Sequence, residues 1–311
     1  MKAPSMTTSG ILLVDKSPAL TSHDIVARTR KVAGTRKVGH AGTLDPMATG
    51  LLVLGLNSST RLLTFLVGLG KEYFATIKLG ETTDSDDADG DVTATADASL
   101  VTREAIEQVL GGFVGEIDQV PSSVSAIRIN GQRAYDLVRA GEEVELKARR
   151  VTISAIEVLG VRLGGATVEV DVRVECSSGT YIRAIARDLG AALAVGGHLT
   201  ALRRSKVGPF TTENAVTLGV RDAQPTLTTE ELIDHLIAPA DVARMLFPEL
   251  ALDEAEVTDL MHGKRIPAGS FVGHDGPIAA IGPGDRLVGL VEARGERVRP
   301  IVNFPSDEVR A

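Results

Sequence analysis

The sequence is poor in the features that announce several common chemistries. One cysteine in 311 residues rules out an intramolecular disulfide and suits a reducing cytoplasm. No apolar run approaches the roughly 18 residues of a membrane span, and the N-terminal MKAPSMTTSG lacks the apolar core of a secretory signal. The expectation is a cytoplasmic, unprocessed protein with no membrane partner. The six histidines, His23, His40, His198, His235, His262 and His274, show no metal-ligand spacing, so no metal is expected. Gly70-Lys71 is followed by Glu72 and no Walker sequence occurs, so no nucleotide cofactor is expected either. Positive charge is also in deficit. With 33 Lys and Arg against 41 Asp and Glu, the net charge of −8 argues against a general nucleic-acid binder, because phosphate contacts require cations.

What is present is unevenly placed. The length and 43% hydrophobic content exceed one ordinary core and suit a large catalytic domain plus a small one. Arg28, Arg30, Lys31, Arg36 and Lys37 stand in a segment without an acid. Lys147, Arg149, Arg150 and then Arg203, Arg204, Lys206 form further basic clusters, while Glu81, Asp84, Asp86, Asp87, Asp89 and Asp91 concentrate the opposite charge. Basic segments flanking a site would hold an RNA backbone over it.

The centre of the chain is Val38 to Leu56, VGHAGTLDPMATGLLVLGL, in which Asp45 is the only acid. Pro46 suits the first position of a helical turn, which places Asp45 at the N-cap, facing unpaired N–H groups that favour its charged form. Gly39 and Gly42 allow close backbone approach, and Gly50 would end the turn before Leu51 to Leu54 run on as a buried strand. Upstream, ILLVD reads as a strand ending at Lys16, and Ser22 as the cap of a helix reaching about Val32 before Gly34. Downstream, 71–79 alternates as a strand carrying Tyr73. The acidic GETTDSDDADGD fails as a calcium loop, since Ser85 would stand first and Ala96 last, and reads as a solvated hairpin. Thr102 starts a helix, and Asn130-Gly131 signals a hairpin turn. Val168 to Cys176 alternates, making Cys176 a core residue with no low-pKa setting or partner histidine. Residues 225–248 read as a linker with a short helix at 230–236, and 286–292 and 298–302 as strands of a compact β-rich module.

His40-Ala-Gly-Thr-Leu-Asp45-Pro-Met-Ala-Thr-Gly50 resembles the active-site signature of the TruB family of pseudouridine synthases. The likeness extends to Lys16 through Ser22, to Tyr73 in a Lys-x-Tyr context, to Gly179-Thr-Tyr-Ile-Arg183 and to His198 through Arg204. The pattern Lys-Pro-x-Gly-x-Thr-Ser is here KSPALTS, with its glycine lost, and Val124 stands where relatives tend to carry an aromatic residue. The resemblance implies an α/β fold of the α+β type, a mixed and largely antiparallel sheet flanked by helices. It also implies a catalytic domain over 1–240 and a small β-rich PUA-like RNA-binding domain over 241–311. It implies isomerisation of uridine to pseudouridine, without a cofactor, in the T-loop of tRNA (uridine 55), by a monomer with no obligate protein partner. Asp45 would be the essential acid, acting on the sugar, on the base or in glycal formation. Tyr73 would stack on the base and Arg183 would orient Asp45. Tyr181 and Leu202 would shape the pocket; His40, Gly42, Thr43 and Lys16 would contact substrate, with His40 displacing the target nucleotide. Two other classes remain open. A glycoside hydrolase would need a second carboxylate that the motif-bearing segments lack, and a non-catalytic tRNA-binding or folding module would leave the site idle.

Overall fold

The computed structural model describes residues 6–122, 128–129, 132–133, 146–219 and 227–305. The chain divides into two compact units, one of Met1–Leu44, Leu52–Val67 and Thr212–Ala311, the other of Asp45–Leu51 and Gly68–Thr211.

In the first unit β1 (Gly10–Lys16) is an almost wholly buried apolar strand. The helix α1 (Ser22–Ala33) is capped by Thr21 and not by Ser22, through a reciprocal box in which Thr21 and Asp24 each bond the other's backbone N–H. It ends at Gly34, whose φ of +62° satisfies the left-handed cap. Ser22 is thereby released for another task. Its hydroxyl accepts from the Leu44 N–H at 2.9 Å and donates to the Leu44 carbonyl at 3.1 Å, fixing the residue next to Asp45. Lys16 is fully buried and donates to the carbonyls of Leu20 (2.7 Å) and Ser17 (3.1 Å), closing the turn between β1 and α1. Ala19 occupies that turn at φ +62°, where the family pattern has glycine. The turn is therefore retained without its glycine, at a cost of about 1 kcal/mol. The short β2 (Val38–His40) pairs antiparallel with β3 (Thr49–Leu56), His40 opposite Leu54, and α2 (Leu63–Val67) follows.

In the second unit residues 45–48 form a turn, not a helix: the Ala48 N–H donates to the Asp45 carbonyl at 3.1 Å. The N-cap expectation is corrected here. Proline suits the second position of such a turn as well as it suits a helix start, and Thr49 already begins β3, leaving no room for helical residues. Gly50 does not end the turn but lies inside β3 at φ +96°. Its strand runs parallel to β12, Gly50 opposite Arg204, and an added Cβ would lie 2.2 Å from the Arg204 carbonyl oxygen. Gly50→Ala is expected to cost at least about 3 kcal/mol, from left-handed strain plus the clash, read as a lowered urea midpoint with unchanged m value.

The remaining strands of that unit are β4 (Lys71–Leu79), β5 (Glu81–Thr83), β6 (Val92–Thr95), β7 (Gly115–Gln119), β8 (Arg128–Ile129), β9 (Gln132–Arg133), β10 (Arg149–Gly164), β11 (Thr167–Cys176), β12 (Gly197–Val207) and β13 (Phe210–Thr211). Their sheet runs β12-β4-β11-β10-β7, antiparallel throughout. Alternation buries Tyr73, Ala75, Ile77 and Leu79 on β4 and Val168, Val170, Val172, Val174 and Cys176 on β11. Burial pushes the Cys176 thiol up to about 11, as befits a core residue. The helix α3 (Arg103–Gly111) starts after Thr102, and α4 (Ile182–Ala192) packs on β12 and β4 with Ile182, Ile185, Ala186 and Leu189 inward. The strands β8 and β9, on either side of Asn130-Gly131 in the sequence, pair antiparallel. The turn read at those two residues, Val124 and the Ala134-Tyr135 segment lie outside the described residues.

From residue 227 onward the stretch read as a linker is packed structure. The helices α5 (Thr229–Asp234) and α6 (Pro239–Leu246) bury Leu232, Val242 and Ala243, and Ile237 bridges to Ile11 of β1. Pro239 sits at a helix start, where its fixed φ helps, so Thr- and Pro-rich composition misled. Beyond it β14 (Glu249–Ala251), α7 (Glu254–Met261), β15 (Ile266–Pro267), β16 (Ile278–Gly282), β17 (Arg286–Arg294) and β18 (Arg297–Asn303) build a five-stranded sheet in the order β14-β16-β17-β18-β15. Val257, Leu260, Ile278, Val288, Val291 and Val298 form part of its core. Among the described residues no helix is long and apolar enough to cross a membrane.

Candidate active site

Three distant segments of the second unit converge on one guanidinium. Arg183, in the first turn of α4, places Nε 3.1 Å from Asp45 Oδ2 and Nη1 3.3 Å from Asp87 Oδ2, while Nη1 also donates to the Ser85 carbonyl at 2.9 Å. A planar guanidinium serves two carboxylates at once from different nitrogens and holds each in a fixed direction. The Arg183 and Asp87 side chains are 5% and 6% exposed, that of Asp45 35%. The arrangement is a carboxylate reaching solvent, backed by a desolvated ion pair.

Asp87 is itself held. Ser85 Oγ donates to its Oδ1 at 2.5 Å and the Asp89 N–H to the same oxygen at 3.1 Å. One turn along α4, Arg187 lies 3.4 Å from Asp86, so the i,i+4 arginine pair meets two successive aspartates. The segment read as a solvated hairpin is thus corrected in part. Its β5–β6 pairing is present, but Asp87 is buried because α4 presents cations to it.

Tyr73 is buried on β4, directly opposite Arg204 on β12 and on the same face of the sheet. Burial holds its phenol above the ordinary value; Arg204 opposes that shift and the Asp45 charge adds to it. Leu202 lies one step along, opposite Ala75 on the same face, 7% exposed. Tyr181 sits at the N-cap of α4, where the Gln119 amide clamps its backbone through bonds of 2.8 and 3.0 Å. The structure therefore groups Asp45, Arg183, Tyr73, Tyr181 and Leu202 within one unit. His40, Gly42, Thr43 and Lys16 belong to the other. There His40 is half-buried with its ring edge against His23 (5.9 Å between centroids), Gly42 adopts φ +94°, and Thr43 is exposed. A cavity of about 470 Å³ lined by Met47, Thr49, Phe74, Thr76, Leu202 and Arg203 also occurs in the second unit, but Asp45, Tyr73 and Arg183 do not line it.

Sequence reasoning missed Asp87, Ser85, Gln119 and Arg204. For Asp87 a signal existed in the chain, because Arg183 and Arg187 stand four residues apart beside the apolar Ile182, Ile185 and Leu189, and cations on such a partly buried helix need counter-charges.

Residues 30–182 match the family described as TruB family pseudouridylate synthase (N terminal domain). Residues 183–244 match tRNA pseudouridylate synthase B C-terminal domain, and 247–305 match tRNA Pseudouridine synthase II, C terminal. The tRNA pseudouridine synthase B of Leifsonia xyli subsp. xyli is 53% identical over 308 residues, 98% of this chain and 99% of that protein. The chain belongs to the TruB family. A second TruB relative, from an Arthrobacter species, is 52% identical over 311 residues, covering 96% of this chain and 98% of its own. Among solved structures, a Cbf5-Nop10-Gar1 complex superposes with a TM-score of 0.66 at 28% identity, over 96% of this chain and 84% of that one. An H/ACA RNP bound to a substrate RNA containing 2′-deoxyuridine gives 0.64 at 27%, over 97% and 87%. The mixed sheet with flanking helices and the C-terminal β-rich module are thus the TruB architecture.

Proposed function

We infer that this chain isomerises uridine to pseudouridine in tRNA, at the T-loop uridine numbered 55. The N1–C1′ bond breaks, the base turns in place, C5 bonds to C1′, the C5 hydrogen leaves as a proton and the freed N1 takes one up. Nothing is oxidised or reduced, so no co-reactant is needed. The observation that carries the reading is Asp45, a partly exposed carboxylate held at 3.1 Å by a buried arginine that is backed by a second acid. Asp45 assists glycosidic cleavage, Arg183 fixes its orientation, and Tyr73 stacks on the base and takes part in removing the C5 proton. Tyr181 and Leu202 shape the pocket. His40 helps extrude the nucleotide, Gly42 and Thr43 admit it closely, and Lys16 sets the turn ahead of α1. We assign catalysis to residues 1–240 and RNA binding to the module at 241–311, in a cytoplasmic monomer. A tRNA transcript tritiated at uridine C5 tests this: the protein alone should release one equivalent of tritium to water per tRNA, and no release would refute it.

The basic segment divides into two kinds of residue. Arg28 and Arg30 are occupied with the carbonyls of Leu218 and Val38, at 2.9 and 3.0 Å. Lys31 and Arg36 are exposed and, with Gly34 and Thr35, line a concave surface. Neutralising both as glutamine should weaken tRNA binding and flatten the slope of log K against log salt by about 1.5. The single-turnover rate at saturating tRNA should stay the same; an unchanged slope would return the segment to ordinary surface.

A further inference from the structure

Arg204 is a large, charged side chain with 1% exposure in a sheet whose other inward positions are mostly apolar. Burying a guanidinium is expensive unless its donors are used in good geometry. Its Nε donates to the Leu51 carbonyl at 2.8 Å, on the strand that leaves the Asp45 turn. Across the β12·β4 ladder it stands opposite Tyr73 on the same face of the sheet, where its charge opposes the upward shift that burial gives the phenol. Its backbone meanwhile packs against Gly50, in contact too close for any Cβ there. One residue thus ties the strand following Asp45 to the side chain of Tyr73.

We propose that Arg204 is a positioning residue that sets the Tyr73 hydroxyl against the Asp45 turn. A guanidinium can only donate, so toward Arg204 the phenol oxygen can act only as an acceptor, which leaves the phenol's own hydrogen for another partner. A fixed cation at that oxygen also favours phenolate character, against the burial that disfavours it. Lysine in place of Arg204 keeps the charge but cannot reach both the Leu51 carbonyl and the phenol with a rigid fork. This inference rests on the assignment of Tyr73 to the reaction, and the test separates the two.

Arg204→Lys and Arg204→Met are made alone and with Tyr73→Phe, and single-turnover rates are measured at saturating tRNA with thermal melts as a folding check. Arg204→Lys should slow the reaction by about 10²-fold with little change in tRNA affinity. In the Tyr73→Phe background the same change should cost less than about 3-fold, because the group it positions is gone. Equal factors in both backgrounds would overturn the proposal. Ultraviolet titration gives a readout that a merely structural role does not move. The component present in wild type and absent from Tyr73→Phe should shift to higher pH in Arg204→Lys, since a donor to the phenolate is weakened. A component that stays in place overturns the proposal even if the chain made no pseudouridine, whereas loss of activity with the shift intact would count only against the assignment of function. If Arg204→Met fails to fold, Arg204→Lys alone carries the comparison.

Discussion

Asp45→Ala is expected to reduce pseudouridine formation by more than about 10⁴-fold, with tRNA affinity changed by less than about 3-fold. The rate argument is chemical: among the described residues the other carboxylate paired with Arg183 is Asp87, which is 6% exposed and bonds a different nitrogen of the guanidinium, so it cannot replace the missing acid. The folding argument is electrostatic. Without Asp45 the guanidinium still has Asp87 at 3.3 Å and the Ser85 carbonyl at 2.9 Å, so a buried pair remains a pair. Asp45 is the most exposed member of the cluster, and removing it deletes a negative charge from the path of an RNA backbone. Binding should hold or tighten slightly. Single-turnover kinetics and a filter-binding isotherm on the same preparation check both halves, and weakened binding with residual turnover would show that Asp45 acts as a contact and not as the reacting acid.

Arg183→Met should lower both stability and rate, and the two losses can be separated. Removing the guanidinium leaves Asp87 buried without its counter-charge, which costs about 3–5 kcal/mol of folding free energy. Arg183→Met combined with Asp87→Asn removes the stranded charge, so most of that stability should return. The rate should not. With Asp45 no longer aimed from 3.1 Å by a forked donor, turnover should stay about 10²- to 10³-fold down in both proteins. Urea unfolding beside single-turnover kinetics reads the two quantities. Recovery of rate together with stability would mean that Arg183 serves the fold alone.

Much of this arrangement could be read from the chain because period-2 patterning and the signature residues are local information. The strand carrying Tyr73, the alternation that buries Cys176 and the helix carrying Arg183 are all set by side-chain spacing within one element. What escaped was decided by distant partners. Asp-Pro gives equal local reason for a helix start or a turn, and the onset of β3 at Thr49 settles it. The acidic loop looks solvated until α4 brings Arg183 and Arg187 to it. Arg204 sits in a basic triplet that reads as surface, yet the β12·β4 register turns it inward beside Tyr73 while Arg203 lies on the other face. Ser22 reads as a cap, but Thr21 takes that role through Asp24 and frees it to hold Leu44. In each case composition gave the charge or hydroxyl correctly, and only the tertiary neighbour fixed its use.

The most direct measurement is a nucleotide-resolution map of pseudouridine in bulk unmodified tRNA after reaction with the wild-type chain, beside the same map for Asp45→Ala. The site described here predicts one new pseudouridine per tRNA, confined to the T-loop and absent with the variant. Pseudouridines scattered outside that loop, or a T-loop product that persists without the Asp45 carboxylate, would contradict it.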